Sequence, residues 1–202
     1  MKLYYAPGAC SLAPHIVAQE AGIPLELVKV DLNARKTADG ADYLAINPRG
    51  YVPALQLDDG EVLTEVAVIL QYLADLKPES GLVPAAGTMA RYRQLEALNF
   101  AATEVHKQIG MLFDPALTPE MQAVQRRTVA RRLDALNTML EGRSFVTGEQ
   151  FTAADAYLYT ALNWTVFLGI DLGPWRNILA FMARVAQRPQ VLAALKAEGL
   201  VP

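Results

Sequence analysis

Apolar positions in the first 78 residues alternate between the two-residue period of strands and the longer period of helices. The predicted strands cover residues 2–6, 26–31, 54–57 and 61–63. The predicted helices cover residues 11–22 and 65–76, with a short helical turn over residues 43–46. The last two strands flank Asp58, Asp59 and Gly60, which predicts a hairpin with a glycine-containing turn.

The resulting order, βαβαββα, predicts a thioredoxin-like α/β domain over residues 1–78, with parallel first strands and an antiparallel hairpin. Residues 79–87 are rich in proline and glycine and are typical of a linker. Beyond them only helical patterns occur, over residues 89–113, 119–140, 153–168, 177–187 and 190–197. An all-α domain is therefore predicted over residues 88–202, in which Thr152 and Asp155 have the spacing of a capping box.

The composition excludes several classes of function. The chain has 202 residues, 52% of them hydrophobic and 19% charged, and its net charge of -3 gives no basic field for nucleic acid. Four arginines at helical spacing could form an anion or partner patch, but are expected to form a solvated helix face paired with nearby acids, namely Arg126, Arg127, Arg131 and Arg132. No apolar run has the length of a signal or membrane helix, so we expect a cytoplasmic protein without membrane contact.

Cys10 is the only cysteine, which excludes an internal disulfide. It lies between the first predicted strand and the first predicted helix, where free backbone amides and the helix dipole favour an anion and lower a thiol pKa. Cys10 is therefore a candidate thiolate, although a small buried apolar residue is an equally good interpretation. Ala13 stands where a second redox cysteine would be, which excludes a dithiol cycle.

Other polar positions allow two interpretations each. Pro53 is either an ordinary trans proline or the cis proline by which thioredoxin-like domains present the backbone of the preceding residue, Val52. Glu65 is either a first-turn acid or part of a carboxylate site at a helix N-terminus. In the long helix, a polar line that predicts a cleft or an interface is formed by Asn99, Thr103, His106 and Gly110. His106 alone, like His15, is also consistent with an ordinary core or surface histidine.

The stretches MKLYYAPGACSLAPHI at residues 1–16 and NPRGYVPAL at residues 47–55 closely resemble beta-class glutathione transferases. The resemblance continues through LTE (63–65), QYLAD (71–75), LNFAATEVHK (98–107) and FTAADAYL (151–158). It covers nearly the whole chain. Its most specific feature is the combination of Cys10 with the pair His106 and Lys107.

The resemblance implies a role for each matching residue. Cys10 contacts the sulfur of glutathione, and the backbone of Val52 pairs with its cysteinyl unit. Glu65 and the amide of Val66 receive the γ-glutamyl end, and Arg35 meets the glycyl carboxylate. Across a homodimer interface, the partner glutathione site is reached by Asn99, Thr103 and Glu104. The sulfur is flanked by His106 and Lys107, and the possible auxiliary residues are Tyr5, Ser11 and Pro53.

The implied activity is conjugation of the glutathione thiolate to small hydrophobic electrophiles, with glutathione as co-substrate and no metal or cofactor. Phe113, Trp164 and Phe167 are candidates to line the electrophile site. Two alternatives stay open, a glutathione-dependent thiol-disulfide oxidoreductase that uses Cys10 and a non-catalytic ligand-binding homologue. Many relatives carry serine after Glu65, whereas this chain has Val66, which keeps the amide and lacks the hydroxyl.

Overall fold

A computed structural model describes residues 1–202, which form two compact units. The first unit comprises Met1–Val83 together with Arg188–Pro202, and the second comprises Pro84–Gln187. Every helix of the structure is too short or too polar to span a lipid bilayer.

The first unit contains a five-stranded sheet in the order β3-β2-β1-β4-β5. The strands are β1 (Lys2–Tyr5), β2 (Glu26–Asp31), β3 (Lys36–Thr37), β4 (Ala54–Gln56) and β5 (Val62–Thr64). β1 pairs with β2 in parallel and with β4 antiparallel, and β4 and β5 form the predicted hairpin. The thioredoxin-like α/β plan is thereby confirmed. The edge strand β3 was not predicted, because two residues are too few to show a period.

Two helices pack on each other in this unit, α1 (Leu12–Ala21) and α2 (Val66–Asp75). Both bury aliphatic residues, and α1 ends at Gly22, whose φ of 65° places it in the left-handed region that glycine tolerates. The turn predicted around residue 43 is a single 3-10 turn, Tyr43–Ala45. Tyr43 is fully buried there and joins an apolar cluster with Tyr4 and Val52.

The second unit is helical, as predicted. Its helices are α3 (Met89–Phe100), α4 (Lys107–Gly110), α5 (Pro119–Met139), α6 (Ala153–Phe167) and α7 (Arg176–Ala186). The long helix predicted over residues 89–113 is interrupted by a π-helical segment, Ala101–His106, and ends in a 3-10 turn, Met111–Phe113. A π-helical segment adds residues to the turn, so it shifts which side chains share a face.

The start of α6 is organised by one buried carboxylate. Asp155 accepts hydrogen bonds from the backbone amides of Val146 and Thr152 and from the Thr152 hydroxyl, each at 2.8 Å. Both halves of the predicted capping box are therefore present, and the threonine hydroxyl also donates to the acid. Burial raises the pKa of Asp155 to about 6, because a charged carboxylate loses its hydration there.

The last helix, α8 (Pro189–Ala197), belongs to the first unit, whereas the sequence placed residues 88–202 in one helical domain. Its attachment is polar as well as apolar. His15 Nδ1 lies 2.9 Å from Glu198 Oε1 with both side chains buried, and Glu198 Oε2 accepts from the Gly8 amide at 2.9 Å. Arg188 pairs with Glu20 at 2.6 Å. These pairs join distant parts of the chain, so the helical pattern could not reveal them. His15 is a core histidine.

Candidate functional site

Cys10 lies in the loop between β1 and α1, and its thiol donates a hydrogen bond to the Val52 carbonyl at 3.1 Å. Burial raises the pKa of Cys10 to about 12, outweighing the backbone amides of Cys10 and Ser11, which lower it. The expectation that the helix N-terminus lowers the pKa of the Cys10 thiol was wrong. The loss of hydration around the sulfur destabilises the thiolate more than the backbone amides stabilise it. At neutral pH, Cys10 is a protonated donor.

The peptide bond between Val52 and Pro53 is cis, as the thioredoxin-like interpretation predicted. The preceding loop is fixed through one carbonyl, since the Tyr43 hydroxyl and the Asn47 amide both donate to the Tyr51 oxygen at 2.7 Å. Val52 and Pro53 are both buried. The backbone of Val52 therefore stands in one defined orientation beside the Cys10 sulfur.

Glu65 and Val66 form the junction between β5 and α2. Glu65 has a φ of 73°, which is rare for a residue with a side chain and marks a backbone held in place by its surroundings. No side chain caps the first turn of α2, so the Val66 amide lacks a side-chain partner. The Val66 side chain is 5% exposed, and the exposed Glu65 carboxylate pairs with Arg49 at 3.0 Å.

Three further predicted residues of this unit are Arg35, Ser11 and Tyr5, of which the first two have hydrogen-bond partners within the unit. Arg35, with a φ of 56°, donates from its guanidinium to the Gly50 carbonyl. The buried Ser11 hydroxyl lies 3.2 Å from both the amide and the carbonyl of Ala6, so it is engaged in holding the loop before Cys10. Burial, and secondarily the charge of Glu198, raise the pKa of Tyr5. Neither the Ser11 nor the Tyr5 hydroxyl is hydrogen-bonded to the Cys10 sulfur, which donates to the Val52 carbonyl.

In the second unit, His106 ends the π-helical segment and packs against α6. Its Nδ1 lies 2.7 Å from the Tyr157 hydroxyl, and its ring meets the Trp164 ring edge-on with centroids 4.8 Å apart. Burial, and then the charge of Lys107, lower the pKa of His106 from 6.5 to about 4. The imidazole is therefore neutral at physiological pH.

The polar line predicted on the long helix divides into two parts. Asn99 and Thr103 are exposed, and the Thr103 hydroxyl donates to the Asn99 carbonyl. His106 and Gly110 instead lie together beside Trp164. The four positions do not follow one regular α-helical spacing, because the intervening segment, Ala101–His106, is π-helical.

Two charged candidates next to this line differ in their partners. Glu104 pairs with Arg132 of α5 at 2.5 Å, whereas Lys107 is exposed. The expectation that the arginine face of α5 is paired with nearby acids is confirmed for Arg132. Among the aromatic candidates, the rings of Phe113 and Trp164 meet edge-on with centroids 6.1 Å apart, while Phe167 is 73% exposed. No group of three or more His, Cys, Asp or Glu side chains could hold a metal ion.

Comparison with known proteins decides the family. Residues 8–76 match the model for the glutathione S-transferase N-terminal domain, and residues 100–189 match the model for the C-terminal domain. The chain is 46% identical to glutathione S-transferase GstA of Escherichia coli O157:H7 over 200 residues, covering 99% of this chain and 100% of that protein.

Solved structures agree. A beta-class glutathione S-transferase of Sphingomonas chungbukensis superposes with a TM-score of 0.96 at 47% identity, over 100% of both chains. A sphingomonad glutathione S-transferase complexed with glutathione superposes with a TM-score of 0.95 at 50% identity, also over 100% of both chains. The chain belongs to the beta-class glutathione S-transferase family. It is an enzyme of that family, and the transferase activity expected from the resemblance is supported over the two alternatives.

Two partners in the transferase were not foreseen. Tyr157 lies inside a motif quoted for the family resemblance, but nothing in its apolar surroundings indicated a contact with His106, 51 residues earlier. Arg49 lies within another quoted motif, and its pairing with Glu65 depends on the turn between β4 and β5. Both contacts arise from tertiary structure, which local spacing does not encode.

Proposed function

We propose that this transferase binds glutathione on its first unit and conjugates the thiolate to small hydrophobic electrophiles. The observation that supports this proposal most strongly is the 3.1 Å hydrogen bond from the Cys10 thiol to the Val52 carbonyl. It brings a sulfur-bearing side chain to the backbone segment that a tripeptide would pair with. A sulfur ligand that adds to this segment as a short strand would have its own thiol near Cys10.

The two ends of the tripeptide meet charged groups in this proposal. The γ-glutamyl end carries an ammonium and a carboxylate, which suit the Glu65 carboxylate and the uncapped Val66 amide. Arg35 receives the glycyl carboxylate. Its guanidinium already donates to the Gly50 carbonyl, so it has limited freedom and can serve the ligand with its remaining donors.

Cys10 acts as a hydrogen-bond donor in this mechanism. A glutathione thiol has an ordinary pKa of about 8.5, and lowering it by one unit requires about 1.4 kcal/mol of stabilisation of the anion. A protonated Cys10, released from the Val52 carbonyl, provides a donor to that anion. The raised pKa of Cys10 is then an advantage, because a second thiolate would repel the first.

His106 and Lys107, which belong to the second unit, supply further stabilisation of the thiolate in this proposal. The neutral imidazole offers one ring nitrogen, and Lys107 contributes a positive charge that favours a nearby thiolate. The electrophile would pack on apolar surface such as the edge-on pair Phe113 and Trp164.

The active form is a homodimer in this proposal. Asn99, on α3, and Thr103, in the π-helical segment that follows, are both exposed, so their side chains are accessible to a partner subunit. Glu104 joins them, held by Arg132. Light scattering at micromolar concentration tests this, because a monomer mass would exclude any contribution from a partner subunit.

Parallel assays with chlorodinitrobenzene and with a small mixed disulfide of glutathione test the function. We expect conjugation to dominate, and Cys10→Ala to lower it about fivefold, the effect of one lost hydrogen bond of about 1 kcal/mol. Efficient disulfide reduction that disappears in Cys10→Ala, without conjugation, would support the oxidoreductase alternative. Glutathione binding without either reaction would support the ligand-binding alternative.

A further inference from the structure

Tyr157 is a buried tyrosine whose hydroxyl is directed at His106. It belongs to α6 and is 3% exposed. Its hydroxyl oxygen lies 2.7 Å from Nδ1 of His106, and the two rings meet edge-on with an interplanar angle of 80°. A distance of 2.7 Å between oxygen and nitrogen is a short hydrogen bond, so this contact is more than packing.

Other groups limit how the imidazole can move. Trp164 approaches the ring edge-on at 4.8 Å, with an interplanar angle of 82°. A Cβ at Gly110 would lie 3.6 Å from Cδ2 of His106, so the helix backbone itself stands against the ring. The histidine therefore has one orientation, with Nδ1 bound to Tyr157 and Nε2 left for another partner.

The chemistry of the pair selects one tautomer. A neutral imidazole has one protonated nitrogen and one acceptor nitrogen, and the hydrogen bond at one nitrogen decides the state of the other. A phenol is the more acidic group and imidazole nitrogen the more basic one, so the stronger arrangement has the hydroxyl donating to Nδ1. The proton of the imidazole then resides on Nε2.

We propose that Tyr157 is a positioning residue that fixes His106 in the tautomer protonated at Nε2, so that His106 meets the glutathione thiolate as a hydrogen-bond donor. The inference rests on the proposed function, in which His106 flanks the sulfur. It makes His106 a stabiliser of the thiolate that does not remove the proton from the glutathione thiol. Tyr157 acts only through His106 and does not touch the reacting atoms.

The groups around His106 determine its response to the loss of the hydroxyl. Lys107 is its charged neighbour, Tyr157 is the titratable group facing it from α6, and Trp164 and Gly110 do not titrate. The hydroxyl donates to the neutral form of the imidazole. Its removal therefore raises the pKa of His106 and allows both tautomers.

Nitrogen NMR of protein labelled in its histidines tests the tautomer directly, because the chain has only 2 histidines. In the ligand-free wild type at neutral pH, we expect His106 to show a protonated Nε2 and an unprotonated Nδ1. In Tyr157→Phe, we expect averaged signals of both tautomers and a higher pKa. The matched control is Tyr159→Phe, since Tyr159 is also buried on α6 and should leave the His106 signals unchanged.

Kinetics give the second readout. We expect Tyr157→Phe to lower kcat/KM for conjugation about three- to tenfold near neutral pH and to move the ionisation of bound glutathione to higher pH. Glutathione affinity should stay within about twofold at a pH below the pKa of bound glutathione, because the bound thiol is then protonated and does not depend on the donor from His106. A variant with the wild-type pH profile would overturn the proposal.

The wild-type NMR spectrum tests the tautomer of His106 even if Tyr157→Phe does not fold. A proton on Nδ1, or a mixture of tautomers, in the wild type would overturn the inference. A proton on Nε2 whose signal does not respond to added glutathione would instead count against the proposed function and leave the tautomer assignment intact.

Discussion

The two units of this transferase hold their reactive groups in different ways. Around Cys10, the backbone does most of the positioning, through the Val52 carbonyl that accepts from the thiol, the Tyr51 carbonyl that holds the preceding loop and the positive φ of Glu65. Around His106, buried side chains do it, through the Tyr157 hydroxyl and the Trp164 ring. A site built from backbone should tolerate side-chain replacement better than one built from packed side chains.

In both units, burial keeps the reactive side chain uncharged near neutral pH. Burial raises the pKa of Cys10 to about 12 and lowers that of His106 to about 4, so each group is neutral near pH 7. A neutral thiol and a neutral imidazole can both donate hydrogen bonds. In the proposed reaction, the glutathione thiolate is therefore the only thiolate in the site, and no second thiolate repels it.

The largest effect is expected where a buried side chain organises the helical unit. Asp155→Ala removes the acceptor of three hydrogen bonds at the start of α6, the helix that carries Tyr157. We expect the free energy of unfolding to fall by about 3 kcal/mol, because the donors are left buried and unpaired. Chemical denaturation measures this.

The control is Asp171→Ala, which removes an exposed hydrogen bond to the Gly173 amide and should cost less than about 1 kcal/mol. Equal effects of the two variants would contradict the view that buried side-chain contacts hold this unit together.

A second prediction concerns the pH dependence of stability. Because the pKa of His106 falls from 6.5 to about 4 on folding, the unfolded state binds more protons between these values. The histidine therefore stabilises the fold above pH 6.5, and this contribution is lost as the pH falls towards 4. The slope should be at most about 1.4 kcal/mol per pH unit.

Denaturation of the wild type and of His106→Asn between pH 4 and 6.5 isolates this contribution. The difference is needed because Asp155, whose pKa is raised to about 6, has the opposite slope in the same range. Parallel pH profiles of the two proteins would show that His106 titrates normally in the fold.

A smaller effect is expected in the unit built from backbone. Val66→Ser keeps the amide at the start of α2 and adds a hydroxyl, so glutathione binding should tighten by up to about tenfold. Since Val66 is 5% exposed, the same change should cost about 1 to 2 kcal/mol of stability.

Val66→Ala is the matched variant, because it loses the packing without gaining the hydroxyl. Calorimetric titration should give tighter binding for serine than for alanine. Equal affinities would mean that the γ-glutamyl end is not held at Val66.

The sequence was sufficient for the elements with clear periods. The strands β1, β2, β4 and β5 and the helices of both units lie within a few residues of their predicted bounds. The π-helical segment Ala101–His106 could not be predicted, because its apolar spacing differs too little from that of an α-helix. The place of α8 depends on buried pairs such as His15 with Glu198, which join residues 183 apart.

For the candidate site, the sequence predicted where the residues lie in the fold better than it predicted their protonation states. The location of Cys10 before α1 was predicted, but the sign of its pKa shift was wrong. The helix dipole can be inferred from a sequence, whereas the loss of hydration depends on what packs around the sulfur. The contact of His106 with Tyr157 has the same origin in tertiary packing.

The role of Cys10 as a protonated hydrogen-bond donor is tested by a pH titration of its thiol in the ligand-free enzyme. Thiolate absorbance, corrected with Cys10→Ala, reports only this group because the chain has one cysteine. We predict no thiolate below about pH 9, consistent with a pKa of about 12, and a thiolate at neutral pH only when glutathione is added. A thiolate on Cys10 at neutral pH in the absence of glutathione would contradict the role of Cys10 as a hydrogen-bond donor.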